Sequence, residues 1–309
     1  MRATAAAFAC LTMLAVPAVG AAQVCKAWGP AEAFGQLDTK LVNEASGLDV
    51  SARFKGRLYH NNDSGDDLRF YISDLKGDHA KAVDVKGPKP RDIEELSLGP
   101  CGRETCLYLG DIGDNPAKRD EVRFTLVREK KNFDKSVKPL RVVRARYPNG
   151  AHNAEAFAVH PNGDLFLVTK PADAVMTKPV PAKVYKLTAA QLRNEDAVQT
   201  FEKIGEIDLP TFMGKAPFPA SISTGLDISA DGKRAILLTY LAAVELGFDL
   251  AQGLPKDWVE GVNYQVVKLD PFPQQEAIAW APGDKGFLYD TELARGSKDA
   301  PIRRVLCQD

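Results

Sequence analysis

The hydrophobic and polar positions of the chain fall into a short pattern that returns five times. An acidic or hydroxyl residue and a small residue open an apolar alternation: Glu44-Ala-Ser-Gly-Leu-Asp-Val, Glu94-Glu-Leu-Ser-Leu, Glu155-Ala-Phe-Ala-Val-His-Pro, Thr224-Gly-Leu-Asp-Ile-Ser and Glu276-Ala-Ile-Ala-Trp-Ala-Pro. Turn residues follow each copy, then a second run rich in β-formers: Arg57-Leu-Tyr-His, Cys106-Leu-Tyr-Leu-Gly, Asp164-Leu-Phe-Leu-Val, Arg234-Ala-Ile-Leu-Leu and Gly286-Phe-Leu-Tyr. Period-two alternation bounded by turn residues predicts strands. Self-similarity at about 50–70 residues, with no helix between the strands, predicts an all-β repeat closed on itself, a β-propeller.

The expected blades have four strands each. They are 44–51, 57–61, 69–75 and 80–85 in the first; 94–98, 106–110, 122–128 and 140–147 in the second; and 155–160, 165–169, 183–187 and 201–209 in the third. The fourth uses 224–229, 235–240, a poorly patterned 244–250, and 264–269; the fifth has only 276–281, 286–289 and 302–306 before the chain stops. Segment 25–37 is expected to supply the missing outer strand, closing the ring and removing an exposed sheet edge. Five blades are expected, and the length of the third and fourth units leaves a sixth as the alternative.

Composition then bounds the role. A net charge of −1 provides no broad basic field, which argues against nucleic acid as the partner. Hydrophobic content of 45% suffices for a packed core, and 24 Gly with 20 Pro suit many short strands and turns. Residues 1–22 read as a cleavable signal peptide: Arg2, an apolar run from Ala5 to Val16, and small residues Val19-Gly-Ala-Ala22. The mature chain, 23–309, is then one propeller domain with no other stretch long and apolar enough to cross a bilayer, expected as a monomer in the periplasm or secreted.

Loss of the signal removes Cys10 and leaves four cysteines, an even number suited to an oxidising compartment. Cys101 and Cys106 bracket a turn and are expected to pair. Cys25 and Cys307 lie at opposite ends of a chain that travels once round a circle, and their pairing would lock the ring, constraining the unfolded state by on the order of 4–5 kcal/mol. Among the loops, 130–138 reads as a charged solvated turn, while 171–181 and 209–223 carry prolines, the latter with Phe212, Met213 and Phe218, and suit either lids or packing on a neighbouring blade.

In a propeller the start of each inner strand converges on one mouth of the central channel. That would gather Glu44, Glu94, Glu155 and Glu276, with Thr224 at the odd position. Two readings stand: the acids hold a hard cation such as calcium, or each clasps backbone amides of the next blade. A second set follows the second strands: Asn62 and Asp63, Asp111, Asp114 and Asn115, Thr169 and Lys170, Tyr240, and Glu292. The expected metal ligands are Glu44, Asp63, Glu94, Asp111, Glu155 and Glu276; the expected ligand-binding residues are Asn62, Asp63, Asp114, Asn115, Thr169, Lys170, Tyr240 and Glu292. His60 and Lys170 are the candidates for a catalytic group, since no nucleophile elbow, phosphate loop or zinc-protease motif is present.

The stretches Glu44-Ala-Ser-Gly-Leu, His60-Asn-Asn-Asp-Ser-Gly, Gly110-Asp-Ile-Gly-Asp-Asn, Glu155-Ala-Phe-Ala-Val and Thr224-Gly-Leu-Asp-Ile-Ser-Ala-Asp-Gly resemble a group of bacterial exported β-propeller proteins, over most of the mature chain. The chain is more loosely similar, in fold alone, to calcium-dependent propeller hydrolases of the phytase-like, gluconolactonase-like and paraoxonase-like kinds. That likeness implies acidic channel residues around calcium and an activated water, with no catalytic residue matched individually. The expected function is therefore binding of a small polar ligand at the channel mouth with calcium, as an ester, lactone or phosphate hydrolase; the alternative is a non-enzymatic binding or scaffolding propeller whose partner is an envelope protein.

Overall fold

Five antiparallel sheets surround one axis in a computed structural model that describes residues 23–170, 180–270, 272 and 274–308. The signal segment 1–22 and most of the 171–181 loop lie outside the described residues. The first blade runs outward through β2 (Ala45–Val50), β3 (Arg57–Asn62), β4 (Arg69–Asp74) and β5 (Lys81–Val85). The second uses β6 (Ile93–Pro100), β7 (Thr105–Asp111), β8 (Val122–Arg128) and β10 (Arg141–Arg146); the third uses β11 (Ala154–Val159), β12 (Leu165–Thr169), β13 (Ala182–Leu187) and β15 (Glu202–Ile207). The fourth comprises β16 (Ser223–Ile228), β17 (Ala235–Thr239), β18 (Ala242–Leu246) and β19 (Tyr264–Lys268).

Ring closure follows the expectation. The fifth blade, β20 (Gln275–Trp280), β21 (Gly286–Thr291) and β22 (Pro301–Leu306), takes its outer strand from the other end of the chain, β1 (Glu32–Gln36), with Glu32 opposite Arg304. Cys25 and Cys307 are disulfide-bonded with Cα atoms 5.9 Å apart, and Cys101 pairs with Cys106. Two disulfides are the pattern of an oxidising, extracytoplasmic compartment. Among the described residues no helix is long and apolar enough to cross a membrane.

The alternating apolar positions point between blades, so the core is five interfaces rather than one ball. Tyr59 and Phe70 of the first blade pack with Leu96 and Leu107 of the second, Phe124 packs on Phe157, Phe166 with Leu237, Ile236 with Phe287, and Leu288 with Leu48. Blade edges are covered as well. Within the 130–138 connection, β9 (Ser136–Val137) lies parallel to β5, while Phe133 meets Phe70 edge-on at 5.1 Å. This corrects the expectation of a merely solvated turn: an edge strand leaves unpaired amides that a neighbour's connection can occupy. β14 (Gln199–Thr200) does the same for β10. The 209–223 loop packs on the fourth blade, Phe212 stacking on Tyr264 with ring centroids 4.0 Å apart.

Candidate functional site

All five inner strands begin with a β-bulge. Pairing skips one residue between Ala45 and Gly47, Ile93 and Glu95, Ala154 and Ala156, Ser223 and Gly225, and Gln275 and Ala277. The bulged residues are thus Ser46, Glu94, Glu155, Thr224 and Glu276. A bulge leaves its extra residue outside the regular ladder and re-aims its side chain. Ser46, rather than the expected Glu44, is the first-blade member; Glu44 precedes the strand and is exposed.

The two hydroxyl members act as clasps. Ser46 Oγ donates to the Glu94 carbonyl of the next blade, and Thr224 Oγ1 donates to the Gln275 carbonyl at 3.0 Å. Among the described residues no backbone amide donates to the carboxylates of Glu94, Glu155 or Glu276, although all three are buried. They join an acidic cluster at this mouth instead. Carboxylate oxygens of Asp63, Asp92 and Glu94 lie within 4.8 Å of one another, as do those of Asp63, Glu276 and Glu292. Among the described residues Lys170 brings a cation into the cluster: it pairs with Glu155 and donates to the Tyr240 hydroxyl at 3.0 Å, which in turn donates to Glu276 at 2.9 Å.

Burial and mutual repulsion keep protons on this cluster. Burial pushes Glu155 up to about 7 against the pull of Lys170, with Asp63 and Asp92 pushing the same way. Asp92 is raised to about 6 by burial and then by Asp63. Glu94 and Glu276 are held well above the usual carboxylate range, by burial first and Glu155 second. Burial alone would lower Lys170, but the charge and hydrogen bond of Glu155 outweigh it and its pKa is raised. Glu155 Oε2 is buried without a hydrogen-bond partner among the described residues. Hard oxygen donors, crowded and partly unpartnered, are the donor set that calcium prefers.

Gly113 permits the close approach of two of these groups. A Cβ there would stand 2.2 Å from Glu94 Oε1 and 2.3 Å from Asp92 Oδ2, so only glycine leaves both carboxylates this space.

The remaining predicted residues fall outside the cluster. Asp111 is paired with Arg119 at 2.9 Å and accepts the amides of Arg91 and Asp92, positioning the Asp92 backbone. Arg119 also bonds the Gly113 and Asp111 carbonyls, and its own amide donates to Asp114, so this Asn- and Asp-rich turn is organised by a guanidinium. Asn115 and Asp114 both bond to Asn153. Asn62 donates to the Leu41 carbonyl and the Tyr71 hydroxyl, and Thr169 accepts from the Lys183 amide. Oxygen-bearing side chains at these positions tie turns down.

His60 sits between the first and fifth blades rather than at the mouth. Its Nε2 is 2.8 Å from Ser73 Oγ and its Nδ1 3.9 Å from Asp290, all three side chains being buried. Burial drives His60 down to about 3 and Asp290 well up, so the charged form of each is disfavoured. Of the two catalytic candidates only Lys170 reaches the cluster.

Further along the same inner strands a second layer of acids behaves differently. Asp49 accepts the amides of Val50 at 2.6 Å and Leu98 of the next blade at 2.5 Å; Asp227 accepts those of Ile228 and Trp280, each at 2.7 Å. Ser97 Oγ accepts the Val159 amide at 3.1 Å. Between the layers Glu95, fully buried, accepts from Leu96 at 3.0 Å and Leu226 at 3.4 Å in the fourth blade, spanning the channel above Gly47 and Gly225. An inner strand's channel-facing amides have no ladder partner, and these side chains supply one.

The arrangement defines a five-bladed β-propeller with an acidic mouth. No family model matches the sequence, and no curated protein matches it. Among solved structures the chain is similar to the putative oxidoreductase (glucose dehydrogenase) of Thermus thermophilus, at 13% identity and a TM-score of 0.47, covering 91% of this chain and 100% of the other. It is also similar to a chain of the nidogen/laminin complex (13% identity, TM-score 0.44, 80% and 72% covered) and to hydrazine synthase of Kuenenia stuttgartiensis (13% identity, TM-score 0.41, 81% of this chain and 56% of that one). At that distance the likeness carries nothing about function.

Proposed function

We propose that the acidic mouth binds a divalent cation, calcium, and through it a small polar ligand, in an exported protein. The observation that carries this reading is the buried Glu155 Oε2, without a hydrogen-bond partner among the described residues, beside Asp63, Asp92 and Glu94. Asp63 belongs to both carboxylate groups and is the shared ligand, with Asp92 and Glu94 on one side and Glu276 and Glu292 on the other. The asymmetry suits a ligand: acids come from the first, second, third and fifth blades, while Lys170 and Tyr240 offer donors between the third and fourth.

A binding protein is the first reading. A metal-dependent ester, lactone or phosphate hydrolase is the second, favoured by the chain Glu155, Lys170, Tyr240, Glu276, which holds a proton donor beside the cluster. A bound cation would supply Lewis acidity and a more acidic water. Lys170 and Tyr240 would orient the polar ligand by hydrogen bonds. Calcium titrated into metal-free protein should raise the melting temperature, because an ion that binds only the native state stabilises it. Chelator-sensitive turnover of a generic ester or phosphate would select the hydrolase; a calcium-induced melting shift without turnover would select the binding protein.

A further inference from the structure

The opposite mouth of the channel opens into a cavity of about 770 Å³. One side chain from each blade, at the same pairing register, forms its collar: Val50, Leu98, Val159, Ile228 and Trp280. All five are apolar, and the volume falls in the range that small-molecule sites occupy. The neighbouring ring position brings Asp49 and Asp227 into the same cavity from the first and fourth blades.

Three features define what such a cavity would accept. Asp49 and Asp227 each accept two backbone amides, yet a carboxyl group has about four acceptor sites, so both retain lone pairs; burial raises Asp49 to about 7 and, with Asp49 beside it, holds Asp227 well above the usual carboxylate range, a cost that a neighbouring ammonium would offset. Those amides, the donors that an anionic guest would need, are already occupied by the carboxylates. The cationic lining residues Arg53 and Lys55 are exposed, on the loop that follows the strand, and do not neutralise the floor. In addition Trp280 keeps its indole Nε1 buried with no partner among the described residues, while its ring lies under the Arg234 guanidinium at 4.6 Å.

We infer that this second mouth is a binding site for an apolar small molecule carrying an ammonium group, the hydrocarbon body against the five-residue collar and the cation on Asp49 and Asp227. Glu95 closes the channel between the mouths, so the site is independent of the acidic cluster and of calcium.

Octylamine, octanol and octanoate, equal in chain length and different in charge, test this by calorimetry on the full mature chain. Octylamine should bind about tenfold more tightly than octanol, as expected for hydrogen bonds to a charged group, and octanoate least of all. Asp227→Asn keeps an acceptor for the Trp280 amide but loses the charge; it should erase most of the amine's advantage and leave octanol unchanged. Asp49→Asn serves the same purpose if the first variant does not fold. Equal binding of the three probes, an amine affinity unmoved by either Asn variant, or no binding of any probe would overturn the proposal.

Discussion

Two layers of acids line one channel, and they do opposite things. Asp49 and Asp227 each accept amides from two blades and fasten the ring. Glu94, Glu155 and Glu276, near the other end of the inner strands, accept none among the described residues and crowd together around Lys170. The difference lies in the backbone. Past the bulge, inner-edge amides face the channel and a short Asp reaches them; on the bulge, the side chain is turned away from the ladder and stays available. One residue type repeated round a ring therefore has a structural layer and a free layer.

The largest test of that contrast is to empty the fastening layer. Asp49→Ala strands the Val50 and Leu98 amides and should cost about 2–4 kcal/mol in denaturant unfolding, with Asp49→Asn costing clearly less. Glu94→Gln in the free layer should do the reverse. It relieves repulsion from Glu155, Asp63 and Asp92, stabilising the metal-free protein by about 1 kcal/mol while weakening calcium binding. Equal destabilisation by the two changes would erase the distinction.

The pH dependence sharpens it. Folded-state values of about 7 for Glu155 and about 6 for Asp92 exceed the unfolded values of 4.5 and 3.8. The folded protein thus binds the extra protons: this contribution to stability is full below about pH 4 and is lost as pH climbs through about 6 to 7. His60, lowered from 6.5 to about 3, works the other way and gains stability as pH rises across that window. The cleaner readout is the calcium increment. The melting shift caused by calcium should be small at about pH 5 and grow towards about pH 8, because the ion competes with these protons. A pH-independent shift would place the ion elsewhere.

The smallest expected effect concerns Gly113. Gly113→Ala would push the Asp92 and Glu94 carboxylates apart, and since both ends can move, stability should change by under about 1 kcal/mol while calcium affinity falls about tenfold. Parallel melting and calcium titrations separate the two quantities.

The fold was legible because its signal is repeated: alternating strands in five units point to a closed ring and to the pairing of its two ends, while the Cys101–Cys106 pair was read from the turn it brackets and the length of the third and fourth units left a sixth blade open. The site was legible in part. Glu94, Glu155, Glu276, Asp63, Lys170, Tyr240 and Glu292 were marked by position and meet at one mouth. Glu44 was misplaced because Glu44-Ala45 imitates Glu155-Ala156, whereas pairing of Ala45 with Asn62 puts Ser46 on the bulge. Asp92 was missed because it precedes its strand; its spacing two residues before Glu94 was the available signal. The fastening role of Asp49, Asp227 and Glu95 could not be read, because it depends on amides from other blades. Neither could the burial of His60, since its partner Asp290 lies 230 positions further along the chain.

Calorimetric titration of calcium into metal-free protein at about pH 8, run beside Glu94→Gln, Glu276→Gln and Asp49→Asn, addresses the central claim most directly. The account predicts one saturable site in the parent chain, lost or weakened at least about tenfold by either glutamate change and unaltered by Asp49→Asn. Absence of calcium binding in the parent chain, or equal binding in all four proteins, would contradict it.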